Sequence, residues 1–361
     1  MSADEHRQAY AYCAYCPKIC RFACPVSEST HSETTSTWGK MTQAYLATQK
    51  ERPLGPGGAK ALYACTGCMR CRSFCKHDQE VGWALFDARE LAVRTHQAPE
   101  GAQGTIATFQ RHGNPFGQDL ARWADQYRAE GPVRYPLFPG CTALAKSSST
   151  VEDAIKVSRA FSAPLGVCKA ASRCCGYPLY AAGDQRAFVE HARTMVEVLR
   201  PYPELAVLDP GCAYTFRVIY PRAGVRLPNQ VLTVTELLEA RLDGGPRTQP
   251  LPEAVSYHDA CHLGRGLGEY EGPRRLMKAA VSEVHEGLET RAEAPCAGGG
   301  GLLPRTMPET SVDVARRAAA RFVDPGDRPV VTACPTARRM FERSGQKAYD
   351  LISVLRRWLR A

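Results

Sequence analysis

The sequence predicts a chain of mixed class, α followed by α/β: a small helical segment rich in cysteine, then two α/β halves related by duplication. Three observations support this. Dense cysteine groups occur only in the first part of the chain, where apolar residues follow helical spacing. After Pro132, short apolar runs alternate with helical patterns, as in strand–helix units. Cysteines then recur at matched intervals, which indicates an internal repeat.

Spacing and composition divide the 361 residues into three predicted domains. Residues 1–130 form the helical domain, in which residues 80–95 carry apolar side chains at helical spacing. Residues 131–245 and 253–361 form the two α/β halves. The Gly- and Pro-rich stretch at 243–252 separates them, because such residues interrupt regular structure.

The two halves share their cysteine spacing. Cysteines stand at 141, 174 and 212 in the first half and at 261, 296 and 334 in the second, so steps of 33 and 38 residues match steps of 35 and 38. Apolar runs at 133–138, 205–208, 254–257 and 329–332 each precede one of these cysteines and predict strands. Because ligands bind at the carboxyl ends of parallel strands, we expect the cysteines to converge there.

Composition excludes several classes of protein. Charged residues make up 23% and hydrophobic residues 44%, as in ordinary folded domains. The sequence has no run of 18 apolar residues and no secretory pattern at its start, so we expect a cytoplasmic protein, at most peripheral at the inner face of a membrane. Sixteen cysteines then indicate metal or redox chemistry rather than disulfides. The net charge of +9 includes no long basic run, so no nucleic acid partner is expected.

Two dense cysteine groups carry the strongest signal. The second, Cys65-x2-Cys68-x2-Cys71-x3-Cys75, is the run with which ferredoxins bind an iron-sulfur cluster. The first, Cys13-x2-Cys16-x3-Cys20-x3-Cys24, has one extra residue between its second and third cysteines. In two-cluster proteins the fourth cysteine of one run ligates the other cluster. We therefore predict two [4Fe-4S] clusters, one on Cys13, Cys16, Cys20 and Cys75, the other on Cys65, Cys68, Cys71 and Cys24.

Zinc is the alternative for these groups, because Zn²⁺ also accepts four thiolates. Zinc ligands more often come as two separated CxxC pairs, which favours iron here. No Asp or Glu lies within either group, whereas the basic residues Lys18, Arg21, Arg70, Arg72 and Lys76 lie within or beside them. Positive charge of this kind favours the thiolate form that binds metal.

The later cysteines complete a family pattern. The first half reads Pro139-Gly140-Cys141, Cys174-Cys175-Gly176 and Asp209-Pro210-Gly211-Cys212; the second reads Ala260-Cys261-His262, Cys296-Ala297-Gly298 and Ala333-Cys334-Pro335. Together with the dense groups, this resembles the CCG-domain (cysteine-rich) iron-sulfur protein family. That family includes iron-sulfur subunits of glycolate oxidase, anaerobic glycerol-3-phosphate dehydrogenase, lactate utilisation systems and heterodisulfide reductase. The resemblance spans nearly the whole chain.

The resemblance also implies further metal ligands. The family motif has five cysteines, of which the first half retains Cys141, Cys174, Cys175 and Cys212, with Asp209 in place of the fifth. A third cluster is implied there. The second half retains Cys261, Cys296 and Cys334, with Ala297 and Val331 at the other two positions. This is an eroded site, to which His258 or His262 could add a nitrogen ligand; apolar packing of the three cysteines is the alternative.

The resemblance implies an iron-sulfur electron-transfer subunit. It would relay electrons between a flavoprotein, a dehydrogenase of hydroxy acid or polyol phosphate type, and a further acceptor, with a quinone favoured. No GxGxxG follows a predicted strand, so we expect an oxidoreductase subunit without its own site for the organic substrate. Two alternatives stay open. One is reduction of a disulfide or another two-electron acceptor at the first CCG site; the other is a non-enzymatic redox sensor.

Overall fold

The computed structural model describes residues 3–49, 53–128, 133–322 and 328–361. Its first part is helical, as predicted, and contains α1 (Arg7–Tyr15), α2 (Pro25–Thr30), α3 (Thr37–Thr48), α4 (Pro56–Tyr63), α5 (Arg70–Ser73), α6 (Val81–Arg94), α7 (Glu100–His112) and α8 (Leu120–Asp125). The helix predicted at 80–95 is confirmed as α6. Pro25 and Pro56 open α2 and α4, where a missing N–H costs no helical hydrogen bond. The boundary predicted at residue 130 lies outside the described residues.

The first α/β half forms a parallel four-stranded sheet in the order β2-β1-β3-β4. Its elements are β1 (Tyr135–Phe138), α9 (Cys141–Lys146), α10 (Ser148–Ala160), β2 (Leu165–Val167), α11 (Tyr177–Ala182), α12 (Gln185–Leu199), β3 (Glu204–Val207), α13 (Pro210–Tyr214), α14 (Tyr220–Arg222), β4 (Gln230–Thr233) and α15 (Val234–Glu239). In the register, Leu137 of the central strand β1 pairs with Val167 and Ala206. Every residue of β1 is buried, as expected for a parallel strand covered on both faces.

The second half repeats this topology. Its elements are β5 (Leu251–His258), α16 (Gly264–Leu267), α17 (Glu271–Ala280), β6 (Val281–His285), α18 (Leu303–Thr306), α19 (Pro308–Ala319), β7 (Val330–Thr332), α20 (Pro335–Arg343), β8 (Ala348–Asp350) and α21 (Leu351–Trp358). The parallel strand order β6-β5-β7-β8 matches that of the first half, which confirms the predicted fold class and its duplication. Strand β5 begins at Leu251, inside the stretch predicted as a linker.

The four predicted strands lie where the cysteine spacing required them. Cys141 follows β1, Cys212 follows β3, Cys261 follows β5 and Cys334 follows β7. Each of these cysteines therefore stands at the carboxyl end of a central strand of its sheet, the edge at which open α/β sheets bind ligands.

A shared core joins the halves, because helix α21 of the second half packs against α10 of the first. Trp358 of α21 is buried, lies 6.4 Å from Phe161 and donates a hydrogen bond from Nε1 to the Thr248 carbonyl at 3.2 Å. Helix α8 also contributes Leu120 and Ala124 to this core. Within the described ranges, no helix combines the length and the apolar character needed to cross a bilayer.

Candidate metal centres and the cavity between the halves

The thiols assigned to the first cluster lie together at the surface of the helical domain. Burial raises the pKa of Cys13 to about 12, and the neighbouring thiols of Cys20, Cys75 and Cys16 raise it further by charge repulsion. All four cysteines are half-buried. The structure therefore brings Cys75 beside the first cysteine group.

The thiols assigned to the second cluster lie deeper. Burial raises the pKa of Cys71 well above its ordinary value, and the thiols of Cys68, Cys65, Cys20 and Cys24, in decreasing order, add to the shift. Cys24 and Cys68 are buried, and Cys65 and Cys71 are half-buried. Cys24 thus joins the second group, and the fourth cysteine of each run stands beside the other run.

A buried lysine shows that the second group fits an anionic cluster. Lys40 of α3 is 2% exposed, and its Nζ donates hydrogen bonds to Cys24 Sγ at 3.1 Å and to the Ala64 carbonyl at 2.8 Å. Burial by itself would lower the pKa of Lys40, but the thiolates of Cys24 and Cys65 raise it above the ordinary lysine value. An ammonium group held among thiols is stabilised by negative charge, which thiolates around an iron-sulfur cluster supply. Sequence reasoning missed Lys40, because nothing in the residues around it distinguishes it from a surface lysine.

The glycine run at 298–301 holds the second half against the second cysteine group. A Cβ added at Gly300 would lie 2.2 Å from the Thr66 carbonyl oxygen, and one at Gly301 would lie 2.1 Å from that of Cys65. Glycine at these positions therefore permits the close packing of two loops. Cys296 Sγ also donates a hydrogen bond to Thr66 Oγ1 at 3.4 Å.

Two arginines also stabilise this contact between the glycine run and the second cysteine group. Arg265 donates a hydrogen bond from Nε to the Cys68 carbonyl at 2.6 Å. Buried Arg89 donates to the carbonyls of Cys65 at 2.8 Å and Gly301 at 2.9 Å. Both loops are therefore pinned by charge-assisted hydrogen bonds, which are stronger than neutral ones.

The four cysteines of the first half form a continuous row of buried thiols. Cys141 Sγ and Cys174 Sγ lie 3.5 Å apart. Hydrogen bonds from Cys174 and Cys212 lower the pKa of Cys175 well below its ordinary value. Gly140, at φ 87°, permits the close approach, since a Cβ there would lie 3.0 Å from Cys212 Sγ. A contiguous set of four soft donors fits an iron-sulfur group.

Asp209 lies in the wall beside this row. Its Oδ1 accepts a hydrogen bond from the Gly211 N–H at 2.8 Å and so caps α13. Burial raises the pKa of Asp209 to about 7, and the nearby thiol of Cys175 contributes in the same direction. The residue that replaces the fifth cysteine of the motif is therefore buried and used as a helix cap.

The second half keeps its cysteines but uses one histidine structurally. His258 Nε2 donates a hydrogen bond to the Pro295 carbonyl at 3.1 Å, and its Nδ1 accepts one from Thr332 Oγ1 at 3.2 Å. Cys334 Sγ accepts from the Ala337 N–H at 3.5 Å and caps α20. Over the described ranges, no three Cys, His, Asp or Glu side chains are arranged to hold a single metal ion.

His262 differs from His258. It stacks on Tyr214 with ring centroids 4.7 Å apart, and its buried Nε2 has no hydrogen-bond partner among the described residues. Cys168, which has no place in the motif, is buried in the core as a packing residue.

The cysteines of both halves line one cavity of about 270 Å³, which lies at the carboxyl edges of the two sheets. Those cysteines are Cys141, Cys174, Cys175, Cys212, Cys261, Cys296 and Cys334. The sequence predicts a crevice in each half, but only the structure merges them.

Three arginines also line the cavity: Arg305, Arg339 and Arg343. Their hydrogen bonds go to uncharged acceptors, the Pro115 carbonyl, the Lys146 carbonyl and Met340 Sδ. Burial lowers the pKa of Arg339, and the positive charges of Arg338 and Arg343 contribute to the same shift. The cavity therefore presents cationic groups beside a row of thiols, which suits a ligand with negative charge.

Comparisons with known proteins match this arrangement. A family model described as a 4Fe-4S dicluster domain matches residues 9–78. A model described as a cysteine-rich domain, CCG, matches twice, at 135–217 and 255–342. The chain accordingly carries two [4Fe-4S] clusters, as predicted from the dense cysteine groups.

Similar curated proteins are redox subunits or redox enzymes by name. A subunit of the fumarate reductase (CoM/CoB) of Methanothermobacter marburgensis is 26% identical over 91% of this chain and 67% of its own length. A subunit of the dihydromethanophenazine:CoB–CoM heterodisulfide reductase of Methanosarcina acetivorans is 26% identical over 77% of this chain and 71% of its own. EtfAB:quinone oxidoreductase of Syntrophomonas wolfei is 23% identical over 82% of this chain and 46% of its own.

The chain spans about half to two thirds of the length of these relatives. This chain itself combines a 4Fe-4S dicluster domain with two cysteine-rich domains. The protein is therefore an iron-sulfur electron-transfer protein in which a 4Fe-4S dicluster domain is followed by two domains of the CCG cysteine-rich family.

Proposed function

We propose that this chain is the relay subunit between a flavin-dependent dehydrogenase of hydroxy acid or polyol phosphate type and a quinone, at the inner face of a membrane. This proposal rests on the order in which the cysteine groups lie between the protein surface and the cavity. Cys13, Cys16, Cys20 and Cys75 are half-buried at the surface, while Cys68 adjoins Cys296 and Cys261 of the cavity. When bound, the two clusters supply one-electron transfer.

Two buried cationic residues support this role. Lys40 and Arg89 place positive charge beside the second cysteine group and pin its loops. Among the similar proteins, the one from Syntrophomonas wolfei is named a quinone oxidoreductase, which supports quinone as the acceptor class. The crosswise ligand sets and a third cluster on the first-half thiols are part of the same proposal.

Anaerobic purification with iron and sulfide analysis tests the cofactor content first. About eight irons correspond to the paired clusters, and about twelve add a cluster in the first half. In a second step, the dithionite-reduced protein is mixed with decylubiquinone in a stopped-flow spectrometer. We expect decylubiquinone to reoxidise the clusters on the time scale of the stopped-flow measurement. If ferricyanide reoxidises them and the quinone does not, the quinone acceptor is wrong.

The cavity favours one second candidate function, two-electron reduction of an anionic disulfide. Electrons would arrive from the dicluster domain, and the balance is one disulfide plus two electrons and two protons giving two thiols. The row of thiols that includes Cys175 and the three cavity arginines support it. Cys174→Ser would abolish turnover with such a disulfide while leaving both ferredoxin-type EPR signals intact. Wild-type protein that shows no turnover with reduced clusters would exclude this candidate.

A further inference from the structure

Exposed apolar side chains cluster beside the first cysteine group. Among the described residues, five large hydrophobic side chains are exposed, and four belong to this region: Tyr12 at 49%, Tyr15 at 79%, Ile19 at 44% and Phe22 at 60%. We name these four residues the aromatic face. Scattered single hydrophobic residues are normal on a surface, but a concentration in one place marks an interaction site.

The aromatic face is continuous through the loop around Cys75. Phe22 meets Phe74 edge to face with centroids 4.8 Å apart, and Tyr12 stacks on His77 at 6.0 Å. Tyr12 and Tyr15 also line a shallow depression together with Cys16. The apolar patch therefore adjoins the first cysteine group at Cys16.

Basic side chains surround this patch. Lys76 and Arg21 are exposed, and Arg72 is exposed on the neighbouring helix α5. Lys18 lies over the Trp38 ring at 4.1 Å. Glu33 pairs with Lys18 and Arg21, and Asp78 and Glu80 pair with Arg72, which leaves Lys76 as the rim cation for which the described residues show no carboxylate partner. An aromatic centre with a charged rim is the usual anatomy of a protein–protein interface.

We propose that the aromatic face is the docking surface for an acidic flavoprotein that exchanges electrons with the first cysteine group. This rests on the proposed relay function and specifies where its flavoprotein partner binds. The chemistry of the occupant follows from the rim: a carboxylate beside an exposed flavin edge would complement Lys76, and the apolar centre excludes water from the contact. Electron-transfer encounters use small interfaces, which suits a patch of four side chains.

The test uses the full iron-loaded chain and oxidised flavodoxin, a small acidic flavoprotein, as the probe. Isothermal titration at low and high salt gives the Kd, and stopped-flow mixing with reduced flavodoxin gives the rate of cluster reduction. The variants are Tyr15→Ser with Phe22→Ser, and Lys76→Glu. Leu288→Ser is the matched control, because Leu288 is 77% exposed and lies outside the aromatic face. Iron content and dithionite reduction are measured for every variant.

We expect wild type to bind flavodoxin more weakly as salt rises, and both test variants to weaken binding at least about tenfold, as loss of interface hot spots does. The Leu288 control should match wild type. Wild-type protein that is reduced by dithionite but neither binds nor accepts electrons from flavodoxin would overturn the docking proposal and leave the relay proposal intact.

Two further outcomes also count against the proposed partner. Basic cytochrome c binding as tightly as flavodoxin would refute the charge argument. Co-sedimentation with phosphatidylcholine–phosphatidylglycerol vesicles that is lost in the Tyr15 and Phe22 double variant, without flavodoxin binding, would assign the face to a membrane instead. Failure of the relay itself would appear separately, as missing iron or clusters that no reductant reaches.

Discussion

Lys40→Met removes the one buried cation seen to donate to a predicted cluster thiol among the described residues, so it should lower the reduction potential of the second cluster. Reduction adds negative charge beside Lys40 Nζ, which lies 3.1 Å from Cys24 Sγ. Two unit charges about 6 Å apart at an effective dielectric constant of about 20 interact by about 3 kcal/mol. For a one-electron couple this corresponds to a shift of about 120 mV toward more negative potential.

The assay is an EPR-monitored redox titration of the iron-loaded protein. Lys40→Arg, which keeps the charge, should remain within about 30 mV of wild type. Lys60→Met is the matched control, because it makes the same chemical change at an exposed lysine of α4, where solvent screens the charge. A Lys40→Met protein with full iron content and a potential within about 30 mV of wild type would refute the assigned role of the ammonium group.

Two further predictions concern the ligand sets and pH. A Cys13→Ala, Cys16→Ala protein should lose about four irons relative to wild type. Adding Cys75→Ala should leave its iron count unchanged, whereas adding Cys24→Ala should remove about four more; the reverse result contradicts crosswise ligation. Burial raises the pKa of Asp350 to about 7. The folded state therefore retains a proton that the unfolded state loses above about pH 4. The free energy of unfolding of the wild type consequently falls as the pH rises from about 4 toward 7. Asp350→Asn keeps a cap on α21, and its advantage over wild type should grow by about 1.4 kcal/mol per pH unit up to pH 7; parallel melting curves across pH would contradict this.

The dense cysteine groups could be interpreted from sequence because cluster ligation is local. Three thiols of one cluster come from a single turn-rich run, so their spacing alone predicts the geometry. The duplicated halves were also predictable, since the matched cysteine intervals depend on strand and helix lengths that recur in both copies. The comparisons then confirmed the fold class, the family and the two clusters.

Other features had no local signal. Lys40 reaches Cys24 only because α3 packs its apolar side inward, and nothing in the residues around it distinguishes it from a surface lysine. The glycine run at 298–301 follows no known phosphate-binding pattern, and its purpose depends on the loop at Cys65 and Thr66, more than 230 residues earlier. Contacts between distant segments decide both features.

The sequence by itself determined the class of chemistry, because thiolate ligands at short fixed spacings admit few metal groups. It also determined that two similar α/β units follow, because repeated intervals preserve an ancestral fold. Only the tertiary structure decided how these parts are arranged. The first cysteine group lies beside the aromatic face, and the second adjoins the cavity that both halves line. The reason is physical, since burial and charge at each thiol depend on which distant loops pack against it.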